Sequence, residues 1–329
     1  MSIPTRPLGK TGERLGALGF GCMGLVGWYG TRDDAESQRT LLAAIDRGVE
    51  HLDTASSYQL GANERFVGAA IRARRDRVFL ASKFGITRTP DGTLVIDNRP
   101  ESVRAAVEES LARLGTDRID LYYLHRIDRS VPIEESVGAM GELVRAGKIR
   151  HIGLSECSVA TLRRAATAHP IAAVQCEYSL WSREPESGIL GACRELGVAL
   201  VAYSPLGRGF LAGNFRTLEE LPADDARRNQ PRFQDAQGAH NARIAEGVRA
   251  LASRRGATPA QLALAWLLAQ GEDILPIPGM KTRAHLDDNL GALELHLTPE
   301  ELAELRALVD RIGVRGERYP AAMMRALGG

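Results

Sequence analysis

Short apolar runs alternate along the chain with longer segments in which apolar residues recur at helical spacing. Within each run the apolar residues are nearly continuous, which is typical of strands in a sheet that is covered on both faces. A helical segment after each run favours parallel pairing. The runs are Leu15–Phe20, Val49–Leu52, Val78–Ala81, Ile119–Leu124, Ile149–Leu154, Ile171–Gln175, Val198–Ala202 and Ile274–Ile277. Eight such units predict an α/β fold, a (β/α)8 TIM barrel.

The helical segments carry start and stop signals. Those that follow the strands are Asp34–Arg47, Asn63–Arg74, Pro100–Leu114, Ile133–Ala146, Ser158–Ala168, Ser187–Leu196, His240–Arg255 and Arg283–Leu290. Thr258 and Thr298 each precede a proline and predict two more helix starts, the second of an extra C-terminal helix. No linker composition divides the chain, so we predict a single domain over residues 1–329.

One connection, after the seventh strand, is much longer than the others. Leu206–Ala239 is rich in Arg, Asp, Asn, Gln and Pro. Loops of this length inside a compact domain are usually functional. We expect this loop to bury too little apolar surface to order itself, and to fold over an anionic dinucleotide.

Composition limits the kinds of protein that this chain can be. Its 329 residues are 44% hydrophobic and 25% charged, which suits a large globular core. A net charge of +1 attracts neither nucleic acid nor an anionic membrane, and we find no signal peptide and no long apolar run. We therefore expect a cytoplasmic protein that acts on small molecules, and its oligomeric state stays open. Cysteine and histidine spacings predict reduced thiols and no metal site.

Four proton-handling side chains lie where strands end. Asp53 and Tyr58 follow the second apolar run, Lys83 the third and His125 the fourth. Reacting groups in such barrels lie at the carboxyl ends of the strands, so we expect these four to meet. A tyrosine has a pKa of about 10 and needs a neighbouring cation to act as an acid near neutral pH. The set predicts carbonyl chemistry.

Other segments predict a dinucleotide. Gly19–Gly24 matches G-x-G-x-x-G, but no helix follows directly, so we interpret it as a strand end kept small for a ligand. Lys281 and Arg283 flank the start of the last barrel helix, where phosphate is favoured. The segment Tyr203–Gly209 supplies an aromatic ring for a flat group and an arginine for a diphosphate.

Seven segments together resemble the aldo-keto reductases, over nearly the whole chain. They are Gly19-Phe20-Gly21, Leu52-Asp53-Thr54-Ala55 with Tyr58 and Asn63-Glu64, Lys83, Asp120 to His125, Gly147 to Arg150 with Ile152 to Ser155, Tyr203 to Leu206, and Ile277-Pro278-Gly279. His125-Arg126 and Gln175 to Arg183 are most similar to the bacterial and plant reductases of broad aldehyde range, near the pyridoxal reductase-like branch. The resemblance implies reduction of aldehydes or ketones by hydride from the nicotinamide C4 of NADPH.

The resemblance also implies residue roles. Tyr58 would be the general acid, Lys83 would lower its pKa, Asp53 would pair with Lys83, and His125 would orient the carbonyl. The cofactor would contact Gly21, Cys22, Met23, Asp53, Ser155, Gln175, Tyr203, Ser204, Pro205, Leu206, Gly207, Arg208, Gly209, Pro278, Gly279, Lys281, Thr282, Arg283, Asp288 and Asn289. We expect the substrate to contact Trp28, Tyr29, Phe84, Trp181 and Phe233.

The chain departs from the family pattern at three positions. Gln59 replaces a common glycine, Glu156 replaces an asparagine that holds the carboxamide, and Asp288 replaces Glu or Gln near the adenine. Two other functions stay open: a nucleotide-binding regulatory subunit of a channel, and a lyase that forms a Schiff base through Lys83.

Overall fold

The computed structural model describes residues 3–89 and 93–329. Its strands lie in the order expected of a barrel, with two short hairpins added. They are β1 (Thr5–Pro7), β2 (Arg14–Gly16), β3 (Phe20–Gly21), β4 (His51–Asp53), β5 (Phe79–Phe84), β6 (Ile86–Arg88), β7 (Leu94–Ile96), β8 (Ile119–Leu124), β9 (Ile149–Ser155), β10 (Ile171–Glu177), β11 (Ala199–Tyr203) and β12 (Ile274–Pro276).

The helices surround the strands. They are α1 (Asp34–Asp46), α2 (Ala62–Ile71), α3 (Pro100–Leu114), α4 (Ile133–Arg145), α5 (Val159–Ala168), α6 (Ile189–Leu196), α7 (Asp235–Arg254), α8 (Pro259–Leu268), α9 (Arg283–Gly291), α10 (Pro299–Ile312) and α11 (Ala321–Met324). Helices α8 and α10 start after Thr258 and Thr298 as predicted, and each threonine forms a capping box. Within the described residues, no helix combines the length and apolarity needed to cross a bilayer.

Eight parallel strands form one sheet, in the order β3-β4-β5-β8-β9-β10-β11-β12. Its two edges meet, because the Gly19 amide donates to the Pro276 carbonyl at 2.9 Å and the Gly21 amide to the Pro278 carbonyl at 3.0 Å. A Cβ atom at residue 21 would lie 2.7 Å from the Ile277 carbonyl oxygen, so glycine permits this closure. The predicted (β/α)8 barrel is confirmed.

Two predicted boundaries are wrong, and one hairpin was not predicted. Leu15–Phe20 is not one strand, because Arg14–Gly16 pairs with Thr5–Pro7 in an antiparallel hairpin and the barrel strand begins only at Phe20. A second antiparallel hairpin, β6 with β7, follows the third barrel strand. Helix α7 starts at Asp235, five residues before the predicted start. Neighbouring apolar residues do not show whether a chain continues straight or turns.

Side chains inside the barrel fit closely. Tyr123 of β8 is fully buried, and its ring occupies the space beside Gly153 of the neighbouring strand β9. A Cβ atom at residue 153 would lie 2.3 Å from the Tyr123 ring. Tyr122, the adjacent residue, points the other way and stacks on Phe84 between the sheet and the helices.

The long connection after β11 has an apolar core of its own. Phe210, Leu211, Phe215, Leu221 and Phe233 are each at most 7% exposed. The rings of Phe210, Phe215 and Phe233 contact one another, with centroids 5.2 to 5.4 Å apart. The expectation that this loop buries too little apolar surface to order itself is therefore wrong, and its last five residues belong to α7.

Candidate active site

A buried ion pair joins the ends of β4 and β5. Lys83 Nζ lies 2.5 Å from Asp53 Oδ1 and donates to the Thr54 carbonyl at 2.8 Å. Both charged side chains are at most 3% exposed. The other Asp53 oxygen accepts from Gln175 Nε2 at 2.8 Å. Every charge of the pair is thus hydrogen-bonded, as buried charges require.

The Tyr58 hydroxyl lies 3.2 Å from Lys83 Nζ. Burial raises the pKa of Tyr58, and the nearby Lys83 charge opposes this without cancelling it. Burial would lower the pKa of Lys83, but Asp53 and Tyr58 outweigh it and the net shift is upward. The pair is therefore a protonated phenol beside an ammonium group. A phenol with a cation at its oxygen is prepared to give up its proton as negative charge develops nearby.

His125 follows β8 and faces the same site. Its ring packs edge-on against the Tyr58 ring, with centroids 5.9 Å apart, and its Nδ1 lies 3.3 Å from Ser57 Oγ. Burial, Arg126 and Lys83 hold the pKa of His125 well below its usual range. The imidazole is therefore neutral near pH 7 and can donate one hydrogen bond to an oxygen in front of Tyr58.

The turn after Tyr58 has an unusual backbone. Gln59 and Leu60 have φ angles of 49° and 52°, in the left-handed region that favours glycine. Gln59 Nε2 donates to the Gly27 carbonyl at 2.7 Å, which ties this turn to the loop after β3. The glycine common at position 59 in the family thus suits the backbone, and the glutamine adds a bond that glycine cannot make.

A cavity of about 570 Å³ extends from Asp53 and Tyr58 to the start of α9. Most of the predicted cofactor residues line it: Gly21, Met23, Asp53, Tyr203, Ser204, Pro205, Leu206, Arg208, Gly209, Pro278, Gly279, Lys281, Thr282, Asp288 and Asn289. Five others do not: Cys22, Ser155, Gln175, Gly207 and Arg283. Cys22 is fully buried, its Sγ points to the Phe20 carbonyl, and its own carbonyl accepts from Asn63 Nδ2 at 2.8 Å.

The α9 end of the cavity is cationic. Thr282 caps the helix by accepting from the His285 amide. Lys281 Nζ donates to the Tyr29 and Thr31 carbonyls at 2.7 and 2.6 Å, and no carboxylate in the described ranges pairs with it. Its charge, together with the helix N-terminus, is available to an anion. Arg283 is exposed, and its amide binds Glu36.

Two loops meet across the cavity. The Gly30 amide donates to Asp225 Oδ2 at 2.7 Å, and the Arg227 guanidinium lies 5.2 Å from the centre of the Tyr29 ring. Sequence reasoning missed this contact because Gly30 and Asp225 are 195 positions apart. It also missed nine lining residues: Gly24, Gly30, Thr31, Ala212, Asn214, Arg227, Ala260, Ile277 and His285.

The expected substrate residues divide into two groups. Tyr29 lines the cavity and Trp28 is 40% exposed beside it in sequence. Phe84, Trp181 and Phe233 lie in apolar clusters and do not line this cavity, so substrate contact by these three remains a prediction. Phe84 points to the helices, because its strand neighbour Lys83 points inward. Trp181 stacks on Phe210 at 5.1 Å, within the aromatic core of the long loop.

The chain matches the model of the aldo/keto reductase family over residues 17–310. It belongs to the aldo/keto reductase family. It is similar to the NADP(+) aldo-keto reductase yakc of Schizosaccharomyces pombe, at 45% identity over 97% of this chain and 95% of that protein. It is also similar to a probable aldo-keto reductase of Glycine max, at 46% identity over 95% of this chain and 90% of the other.

Solved structures of this reductase family share the barrel. A glycerol dehydrogenase of Gluconobacter oxydans aligns with a TM-score of 0.86 at 28% identity, covering 96% of this chain and 98% of its own. An aldo/keto reductase of Klebsiella pneumoniae in complex with NADP and acetate aligns with a TM-score of 0.71 at 31% identity, covering 97% of this chain and 99% of its own. The resemblance drawn from the sequence motifs is confirmed.

Proposed function

We propose that this aldo/keto reductase reduces aldehydes and ketones to alcohols with NADPH, with Tyr58 as the proton donor. The observation that carries the proposal is the Tyr58 hydroxyl 3.2 Å from a buried ammonium, at one end of a cavity whose other end is cationic. One end suits a reacting carbonyl oxygen, and the other suits a phosphate. An elongated ligand with a neutral reacting end and an anionic far end fits between them.

The residues of the cavity fit NADPH. Tyr203 supplies a ring for the nicotinamide, Arg208 and Gly209 suit the diphosphate, and Lys281 with Thr282 suits the 2′-phosphate. The Schizosaccharomyces pombe relative is named for NADP(+), and the Klebsiella pneumoniae structure contains NADP, which agrees with this choice. When bound, the cofactor supplies hydride to the carbonyl carbon.

The chain's own groups stabilise the oxygen of that carbonyl. Neutral His125 donates a hydrogen bond that orients the oxygen, and Tyr58 transfers its phenolic proton as negative charge gathers there. Lys83 then stabilises the phenolate, because its ammonium lies beside the Tyr58 oxygen, and Asp53 holds Lys83 in place. Charge that develops in a buried site is stabilised strongly by such preorganised groups.

No observation favours the two other functions. A Schiff-base lyase needs Lys83 as a neutral amine, whereas its pKa is raised and its Nζ contacts Asp53, Thr54 and Tyr58. We propose a small carbonyl compound as the partner, with no nucleic acid or membrane. We also propose a cytoplasmic setting, which the four buried free cysteines suit.

The test is a screen of NADPH oxidation with the purified protein across neutral and charged aldehydes and ketones. We expect aldehyde-dependent loss of NADPH absorbance, with formation of the alcohol in equal amount. Trapping with borohydride serves as the control for the lyase, and we expect no covalent adduct at Lys83. Absence of turnover across the whole panel, with NADPH bound, would contradict the proposal.

A further inference from the structure

Arg126, the residue after His125, is a buried cation with no carboxylate partner in the part of the chain that the structure describes. It is 5% exposed, and its Nη1 donates to the His125 carbonyl at 2.6 Å and to Ser155 Oγ at 3.3 Å. Within residues 3–89 and 93–329, no carboxylate forms an ion pair with it, and its Nε and Nη2 make no hydrogen bond. Buried arginines are almost always paired, so this one is an exception.

The other buried arginines of this region are neutralised. Arg318 binds Glu156 through two contacts of 3.0 Å, and Arg208 lies 3.2 Å from Glu177. Arg232 lies 3.6 Å from Glu177 as well. Glu184 lies 3.6 Å from Arg232 and 3.9 Å from Arg318. Arg318, Arg208 and Arg232 thus each have a carboxylate partner, and Arg126 has none among the described residues.

Arg126 lies beside the reacting groups. Burial acts to lower its pKa, but Tyr203, Tyr319, Glu156 and Tyr58 lie close enough to raise it. Tyr203 and Tyr58 line the cavity. Glu156 does not neutralise Arg126 directly, because its oxygens already bind Arg318, Tyr203 and the Glu177 amide.

We propose that Arg126 binds an anionic group of the carbonyl substrate, a carboxylate or a phosphate located a few atoms from the carbonyl. The inference rests on the proposed function and assigns its substrate class. Arginine suits this task because its planar group offers two parallel donors to a carboxylate or phosphate. The Arg126 guanidinium donates to the His125 carbonyl, so an anion that it binds would lie near the residue that orients the substrate oxygen.

The test uses matched aldehydes. 2-, 3- and 4-Carboxybenzaldehyde are compared with their methyl esters, and glyceraldehyde 3-phosphate with glyceraldehyde, which separates carboxylate from phosphate. We expect at least one anionic aldehyde to exceed its neutral match in kcat/KM. In Arg126→Met this advantage falls about 10- to 100-fold, the size of a charged hydrogen-bond contribution, while the neutral match changes by less than about threefold. Arg126→Lys recovers part of the advantage.

Arg129→Met is the matched control, since Arg129 is an exposed arginine in the same loop, and it keeps the anionic preference. Equal losses for anionic and neutral substrates, or a wild type that never prefers the anionic member, would overturn the inference while leaving the proposed function intact. Failure of the proposed function would look different from failure of this inference, because neutral aldehydes would then not react either. If Arg126→Met does not fold, competitive inhibition of the wild type by benzoate but not benzamide supports the inference, and its absence refutes it.

Discussion

Glu156 and Arg318 form a bidentate ion pair, with 3.0 Å from each carboxylate oxygen to a guanidinium nitrogen. Tyr203 donates to the same carboxylate at 2.8 Å, and the Tyr319 hydroxyl lies 3.0 Å from the Tyr203 hydroxyl. The Gly328 amide donates to the Glu156 carbonyl. One residue just after β9 therefore contacts both the expected nicotinamide platform and the C-terminal segment, through its side chain and its backbone carbonyl. It takes the position where many relatives have asparagine, and its oxygens are already engaged.

Removing Arg318 should leave a buried carboxylate without its partner. We expect Arg318→Met to lower the free energy of unfolding by about 3 kcal/mol. Arg254→Met, which breaks the exposed pair with Glu304, should cost much less, because water and salt screen exposed charges. Urea unfolding measures both.

Burial would raise the pKa of Glu156, but Arg318 outweighs it and the net shift is downward. The loss of unfolding free energy in Arg318→Met should therefore be complete above about pH 4.3. It should become smaller as the pH falls through the pKa of Glu156 in the folded protein. A cost unchanged at low pH would contradict the pairing.

Tyr58→Phe keeps the ring and removes the proton. We expect kcat to fall by at least about 100-fold, the scale of general acid catalysis, with the dissociation constant of NADPH nearly unchanged. Stopped-flow turnover and fluorescence titration measure the two quantities. Retention of more than about a tenth of wild-type turnover would remove Tyr58 from its role.

Lys281 should choose between the two nicotinamide cofactors. Its ammonium contacts only carbonyls in the described residues, so Lys281→Met should weaken NADPH binding about 10-fold and leave NADH unaffected. Arg283→Met is the comparison, and it should cost less because Arg283 does not line the cavity. Equal weakening of both cofactors by Lys281→Met would show that the lysine only supports the loop.

His51, at the start of β4, should make the fold acid-sensitive. Among the described residues neither ring nitrogen of His51 has a hydrogen-bond partner, and burial lowers the pKa of His51 to about 4 from an ordinary value near 6.5. As the pH falls, the unfolded chain binds a proton at His51 before the folded chain does. The free energy of unfolding therefore keeps the full contribution of His51 above pH 6.5 and falls by about 3 kcal/mol as the pH is lowered to about 4. His51→Phe should flatten the stability profile in that window, while His296→Phe, at an exposed position, should not. Identical profiles for wild type and His51→Phe would contradict this.

The long loop should be protected before any ligand binds. Because Phe210, Phe215 and Phe233 are buried together, hydrogen exchange near them should be slow without NADPH. Added NADPH should protect the cavity-lining Arg208 to Asn214 further. Fast exchange across the whole loop in the absence of NADPH would restore the expectation that it needs a ligand to order.

The sequence predicted the barrel because continuous apolar runs report burial on both faces, and burial is a local property of each strand. The sequence also predicted that Asp53, Lys83 and His125 lie at one end of the barrel, because the carboxyl ends of parallel strands lie at the same edge. Contacts between side chains far apart in the sequence could not be predicted. Glu156 and Arg318 are 162 positions apart, and neither residue type indicates its partner.

Aromatic residues were the hardest to place. Trp181 and Phe233 look the same in sequence whether they line a cavity or pack in a core, because both environments favour large apolar rings. Phe84 could have been placed correctly, since alternation along β5 turns it away once Lys83 faces inward. The packing of the long loop depends on Phe210 and Phe215 near its start and on Phe233 near its end. The average composition of the loop is polar, so it gave no sign of this aromatic cluster.

Tyr123 and Gly153 have a consequence for how such reductases diversify. The ring of one residue fills the space that any side chain at the other would need, so the two positions share a single volume. A larger residue at position 153 is harmful unless position 123 has already become smaller, and a smaller residue at 123 alone leaves a cavity. The order of the two substitutions therefore matters, and the path between the two packings passes through a less stable intermediate. We expect surviving lineages to keep either the tyrosine–glycine combination or a fully exchanged one, and mixed pairs to be rare.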